Sequence, residues 1–289
     1  MRSALAAARR LVEERVKALA VLIFLLVTAI AAGMTFLRAI TPWSTLADSD
    51  YWGNLSGIVT ETGVRLSLDT LFRHNNEHIV VIPKLVYAAN YLVTSGSNTG
   101  LIVYSLAVGI AITAVLLFLA RDLLIDTPWR LLLCALLFPL VMFSAKLTHS
   151  YFLGMSGTIW LTADLFVITS AAALARAIAT ESAAWLLVSL FAGVLGVLAY
   201  STAIYMLIVL VLFCVAKLLR PKLPGPASRP LLLGTLAAAL LVLGLGLAFR
   251  NAPQAKPDFA FDLPKLVEFV LIYLGNAGPQ APCVLLPAS

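Results

Sequence analysis

Apolar runs about as long as a bilayer is thick recur along this chain, and they constrain it more than any motif does. They cover residues 18–37, 101–120, 158–175, 183–198, 202–219 and 231–249. A shorter run, 131–144, reaches full length if it continues towards Tyr151. A spanning helix needs about 20 mainly apolar residues, and only a helix or a closed barrel satisfies its own backbone in lipid. Composition agrees: 61% of the 289 residues are hydrophobic and 12% charged, where soluble domains carry roughly 25% charge. The expectation is an all-α fold, a polytopic transmembrane helical bundle of about seven or eight spans, with residues 1–289 forming a single transmembrane domain. The doubtful eighth span is 266–274. It precedes "GNAGPQAPCVLLPAS", which reads as a partial span, a re-entrant piece or a break in a longer parent chain.

The N-terminus has a basic region, an apolar region and an Ala29, Ala31 pair that resembles a signal-peptidase site. Apolar sequence continues past it, which favours a retained first span. With the N-terminus in the cytoplasm, the inner segments hold 12 of the 20 Lys and Arg, as the positive-inside rule requires. Asp48, Asp50, Glu61, Asp69 and Glu77 then fall outside. A multi-pass protein of the plasma (inner) membrane is expected, with polar chemistry on its outer face. The net charge of +6 is scattered over segment ends, which suits membrane lipids and argues against nucleic acid as a partner. Cys134, Cys214 and Cys283 are too far apart for a metal-thiolate motif and read as small core residues. "KLLRPKLPGPASRP" (217–230) reads as an ordinary cytoplasmic connector, and Gly244 and Gly246 as a helix-packing face.

The one long soluble segment is the first extracytoplasmic loop, 38–100. Its apolar residues Leu68, Leu71, Phe72, Ile79, Ile82, Leu85, Val86 and Tyr91 have helical spacing, with Pro83 as a bend or a new first turn. They predict two amphipathic juxtamembrane helices. Between them lies a polar knot, His74, Asn75, Asn76, Glu77 and His78. "HNNEH" fits H-x-x-E-H, the inverted zincin signature, but a zincin needs another carboxylate ligand on a soluble helix, which this chain lacks. A solvated helix face is the plainer reading. Asn is a poor helix former, however, and so much hydrogen-bonding capacity favours a substrate-contacting cluster.

The order of features resembles the GT-C superfamily of polyprenyl-phosphate-sugar-dependent glycosyltransferases. It comprises a first span, an acidic pair "DSD" soon after it, and amphipathic helices before the second span. "RHNNEHIVVIPKLVY" is also similar to an "HNEHR" stretch of bacterial polytopic proteins grouped with that superfamily, with an extra Asn and with Ile79 in place of an arginine. The resemblance covers about residues 18–120. It implies an enzyme that takes a lipid-linked sugar donor from the bilayer and uses a first-loop aspartate as general base or metal ligand. Asp50 is the first choice and Asp48 the second; a divalent metal cofactor stays open. A carboxylate beside lipid has its pKa raised by desolvation, which suits proton removal near neutral pH. The competing reading makes Asp48 or Ser49 a plain helix N-cap.

Asp164, a few residues into its span, is a functional candidate because intramembrane charge is costly. Lys146, His149 and Tyr151 reach the same side from the preceding loop, and Ser201, Thr202 and Tyr205 from the next outer turn. Together they predict a substrate-binding outer cavity whose cations neutralise a phosphate leaving group. No Walker A loop, G-x-G-x-x-G, G-x-S-x-G or paired CxxC occurs. The rival classes are a transporter or flippase, which predicts paired broken spans, and a non-catalytic membrane subunit whose outer cap binds a partner.

Overall fold

The computed structural model describes residues 2–40, 49–60, 63–73, 78–124, 127–144, 147–226 and 228–250. Side chains of residues 2–11, 49–50, 122–123, 128, 148–149 and 247–250 lie outside that description, as does the expected eighth span. The described residues belong to one compact unit, Met1–Arg250.

Helix follows helix, as the apolar runs require. The first helix, α1 (Arg2–Ile40), includes the basic N-terminal stretch as well as the apolar run. A small cap follows, with α2 (Ser49–Leu55), a two-stranded antiparallel hairpin of β1 (Val59–Thr60) and β2 (Gly63–Val64), α3 (Leu68–Phe72) and α4 (Val81–Thr94). The bundle then runs through α5 (Asn98–Leu123), α6 (Pro128–Met142), the short α7 (Thr148–Phe152), α8 (Gly154–Thr180) and α9 (Ala183–Ala199). A 3₁₀ turn, Ser201–Ala203, leads into α10 (Ile204–Leu219), and α11 (Arg229–Arg250) completes the described part. Five of these helices are long and apolar enough to cross a membrane; the apolar helices Trp129–Met142 and Ala183–Ala199 are shorter. Leu22, Leu26 and Leu37 of α1, Phe191 of α9, Leu212 of α10 and Leu241 of α11 stand exposed on the outer surface, as lipid-facing side chains do. The protein is a multi-pass helical membrane protein.

Contacts between distant residues bring several helix ends to one end of the bundle. Thr35 Oγ1, near the end of α1, donates to the Phe143 carbonyl just after α6 at 3.3 Å. Asn98 Nδ2, at the start of α5, donates to the Phe152 carbonyl at the end of α7 at 3.1 Å. The cap therefore sits on the end where α1 and α6 finish and α5 and α8 begin. Close packing below it depends on small residues. A Cβ on Gly157 of α8 would lie 2.2 Å from the Ser150 carbonyl oxygen and 2.7 Å from Ser105 Oγ of α5, so only glycine lets these segments meet. Between α8 and α9, Ser170 Oγ donates to the Ser189 carbonyl at 2.6 Å and Ser189 Oγ to the Ser170 carbonyl at 2.8 Å, a reciprocal polar clasp.

Two details differ from expectation. Gly244 has nothing near its Cβ position, and Gly246 meets only Ile204, at 3.4 Å, whereas a Cβ on Gly193 of α9 would lie 2.8 Å from Leu207. The 217–230 connector is tied down, because the buried Lys217 ammonium donates to the carbonyls of Pro221, at 3.0 Å, and Leu223. Of the two roles expected for Pro83, the structure has it in the first turn of α4, where proline costs no hydrogen bond. Cys214 is buried and Cys134 partly so, as small core residues.

Candidate functional site

The cap's shape follows from its buried aromatic residues. Tyr51, directly after Asp50, is fully buried. Its hydroxyl donates to the Tyr87 carbonyl at 3.1 Å and accepts from Asn90 Nδ2 at 3.2 Å. Burial holds that phenol above its ordinary pKa, so it stays neutral and keeps donating. Tyr87 Oη in turn donates to the Met155 carbonyl at 3.0 Å, joining α4 to the start of α8. Edge-on ring contacts of Tyr51 with Trp52 and Tyr87, at centroid distances of 5.0 and 5.1 Å, complete the fastening of α2. The backbone carrying Asp50 is thus fixed from its neighbour. The Asp50 side chain, and Asp48 altogether, lie outside the described residues; α2 begins at Ser49, directly after Asp48.

The polar knot is held from both sides. His74, Asn75, Asn76 and Glu77 lie outside the described residues, but both flanks are explicit. Before them, the buried Lys84 of α4 donates its ammonium to the carbonyls of Thr70 at 3.0 Å, Leu71 at 3.3 Å and Arg73. These carbonyls close the C-terminal turn of α3, where cations are favoured. Burial, and then the Arg73 charge, lower the Lys84 pKa to about 8. Lys84 therefore stays largely protonated at neutral pH, with three N–H groups for three carbonyls. After the knot, Ile79, Val80 and Val81 are buried. Ile79, which stands where the resemblance expects an arginine, is part of this apolar anchor.

His78 is the knot residue whose side chain the structure describes, and it reaches across the bundle. Helix α9 ends because Tyr200 adopts an extended backbone, φ −163° and ψ 132°, and Ser201 then opens the 3₁₀ turn. The His78 Nδ1 lies 2.5 Å from Ser201 Oγ, 123 residues away in sequence. On the other edge of the ring, Nε2 lies 2.9 Å from Tyr200 Oη, and the two rings meet at a centroid distance of 4.1 Å. His78, Tyr200 and Ser201 are all partly exposed, while Tyr200 packs against the buried core of Tyr51, Tyr87, Met155 and Ile159. Ser201 belongs to the expected outer turn, whereas no local sequence pattern marks Tyr200.

The other candidates do not all join this cluster. Helix α8 starts at Gly154, earlier than the hydropathy run suggests, so Asp164 lies ten residues along it, or about 15 Å. It is exposed on the helix surface, and among the described residues it has no hydrogen bond or ion pair. Its neighbour Thr162 is buried and hydrogen-bonded to Tyr104 Oη at 3.0 Å. Lys146 and the His149 side chain lie outside the described residues. Among the described residues no group of three His, Cys, Asp or Glu comes together to hold a metal. Beside the cap, an open groove of about 640 Å³ runs between α4 and the start of α5, lined by Val86, Ala89, Val93, Leu101, Val103 and Tyr104 among others. No family model matches the chain, and no curated protein matches it.

Proposed function

We propose that the protein is an integral membrane glycosyltransferase of GT-C type, with about seven spans and its cap outside the cytoplasm. It transfers a sugar from a polyprenyl phosphate to an extracytoplasmic acceptor. The observation that carries the reading is the tie between His78 of the first loop and the α9–α10 turn, at 2.5 and 2.9 Å. It joins polar side chains from two distant segments at the cap end of the bundle, where an apolar groove also opens between α4 and the start of α5. In this reading Asp50 removes the acceptor proton, with Asp48 as second carboxylate, and the knot residues hold the sugar. Lys146 and His149 face the phosphate, and Asp164 lines the route from the bilayer. N-terminal basic residues put that end of α1 in the cytoplasm of a bacterial inner membrane.

The test is transfer of label from a radioactive polyprenyl-phosphate sugar to acceptor in membranes holding the protein. Asp50→Asn is expected to lower the rate by about a hundredfold or more, the usual worth of a general base, with stability unchanged. Full activity in the Asp48→Asn, Asp50→Asn double variant removes the mechanism.

A further inference from the structure

A serine hydroxyl becomes a nucleophile when a base sits within hydrogen-bond reach and a third group orients that base. Ser201, His78 and Tyr200 have this arrangement, which the sugar-transfer reading above uses only to bring two segments together, not for its chemistry. The contact of Ser201 Oγ with Nδ1 is short, 2.5 Å, and Tyr200 Oη holds Nε2 at 2.9 Å. Both partners are hydroxyls, able to donate or accept. With its proton on Nε2, donated to Tyr200 Oη, the ring presents the Nδ1 lone pair to Ser201 Oγ, which donates to it. Both Tyr200 and Ser201 are partly exposed. The surroundings suit an apolar substrate: Tyr200 packs on the cap's core, and Val86 and Leu101 of that core also line the 640 Å³ groove.

We propose that Ser201, His78 and Tyr200 form a reactive centre that accepts an acyl group from a lipid ester. Ser201 Oγ bonds to the ester carbonyl carbon while its proton passes to His78 Nδ1. The carbon–oxygen bond to the lipid then breaks, and that alkoxide takes the proton from Nδ1, leaving Ser201 acylated and His78 neutral. Water or another alcohol reverses the steps, restoring the serine and releasing the acid or a new ester. The two readings share the His78 tie but not the chemistry: failure of serine labelling overturns this centre and leaves the Asp50 test of sugar transfer untouched.

The experiment treats the full-length protein in detergent with an alkyl fluorophosphonate and locates the adduct by peptide mass spectrometry. Labelling is expected at Ser201, absent in Ser201→Ala and slowed by about a hundredfold in His78→Gln, which keeps a hydrogen-bonding side chain but no base. No adduct at Ser201, or equal rates with and without His78, overturns the proposal. A second measurement avoids any variant at His78. In Ser201→Cys, iodoacetamide at pH 6.5 is expected to alkylate the new thiol at least about tenfold faster than that of Thr202→Cys, because a neighbouring imidazole lowers a thiol pKa. Equal rates at the two positions overturn it too.

Discussion

Lys84 shows how much one buried charge can organise. Its ammonium closes α3 through three carbonyls and so fixes the approach to the polar knot. Lys84→Met leaves those part-buried carbonyls without their shared donor, and a hydrogen bond to a charged group contributes about 1.5–3 kcal/mol. The variant is expected to unfold at clearly lower denaturant, measured by loss of helical circular dichroism in detergent. The pH dependence has a definite sign. The folded pKa is about 8 against 10.5 for the free side chain, so between those values the unfolded chain binds the extra proton. Stability from this group then rises with pH. The gap between wild type and Lys84→Met should widen from pH 7.5 to 9.5; a gap that narrows means the carbonyls outweigh burial.

At the scale of the helices, close approach rests on a few small or hydroxyl-bearing residues. Gly157 leaves no room for a Cβ beside the Ser150 carbonyl oxygen and Ser105. Because Ser150 is backbone there, the strain of Gly157→Val cannot be relieved by a rotamer change. A loss of roughly 1–3 kcal/mol is expected from such overpacking, seen as a lower melting temperature in detergent. The Ser170–Ser189 clasp is worth less: interhelical hydrogen bonds in membranes average about 0.6 kcal/mol. Gly244, with nothing near its Cβ position, should accept alanine without loss, which the same melting experiment checks.

For the whole molecule, the alternation of helices puts the cap at one end and Arg121, Arg130, Arg176 and the Lys217–Arg229 region at the other. If the basic end is cytoplasmic, Leu68→Cys, at an exposed cap position, reacts with a membrane-impermeant maleimide in intact cells. Lys222→Cys, in the connector, reacts only after permeabilisation. The reverse pattern inverts the topology and moves the proposed chemistry to the cytoplasm. This measurement uses a background with Cys134, Cys214 and Cys283 replaced.

The residues alone determined that this chain enters a membrane as helices and where most of those helices lie. Hydropathy and charge bias are sums over neighbours in sequence, so they survive without knowledge of the fold. Helix ends were less legible: α1 and α8 extend beyond their apolar runs because polar residues continue a helix once its turns are formed. The partners of His78 were decided by tertiary structure. Which side chain meets an imidazole 123 residues away depends on how α8 and α9 rotate and where α9 stops, and packing sets both. The same holds for Lys84 and Lys217, which look like ordinary cations in sequence and become internal clamps only when the carbonyls around them converge.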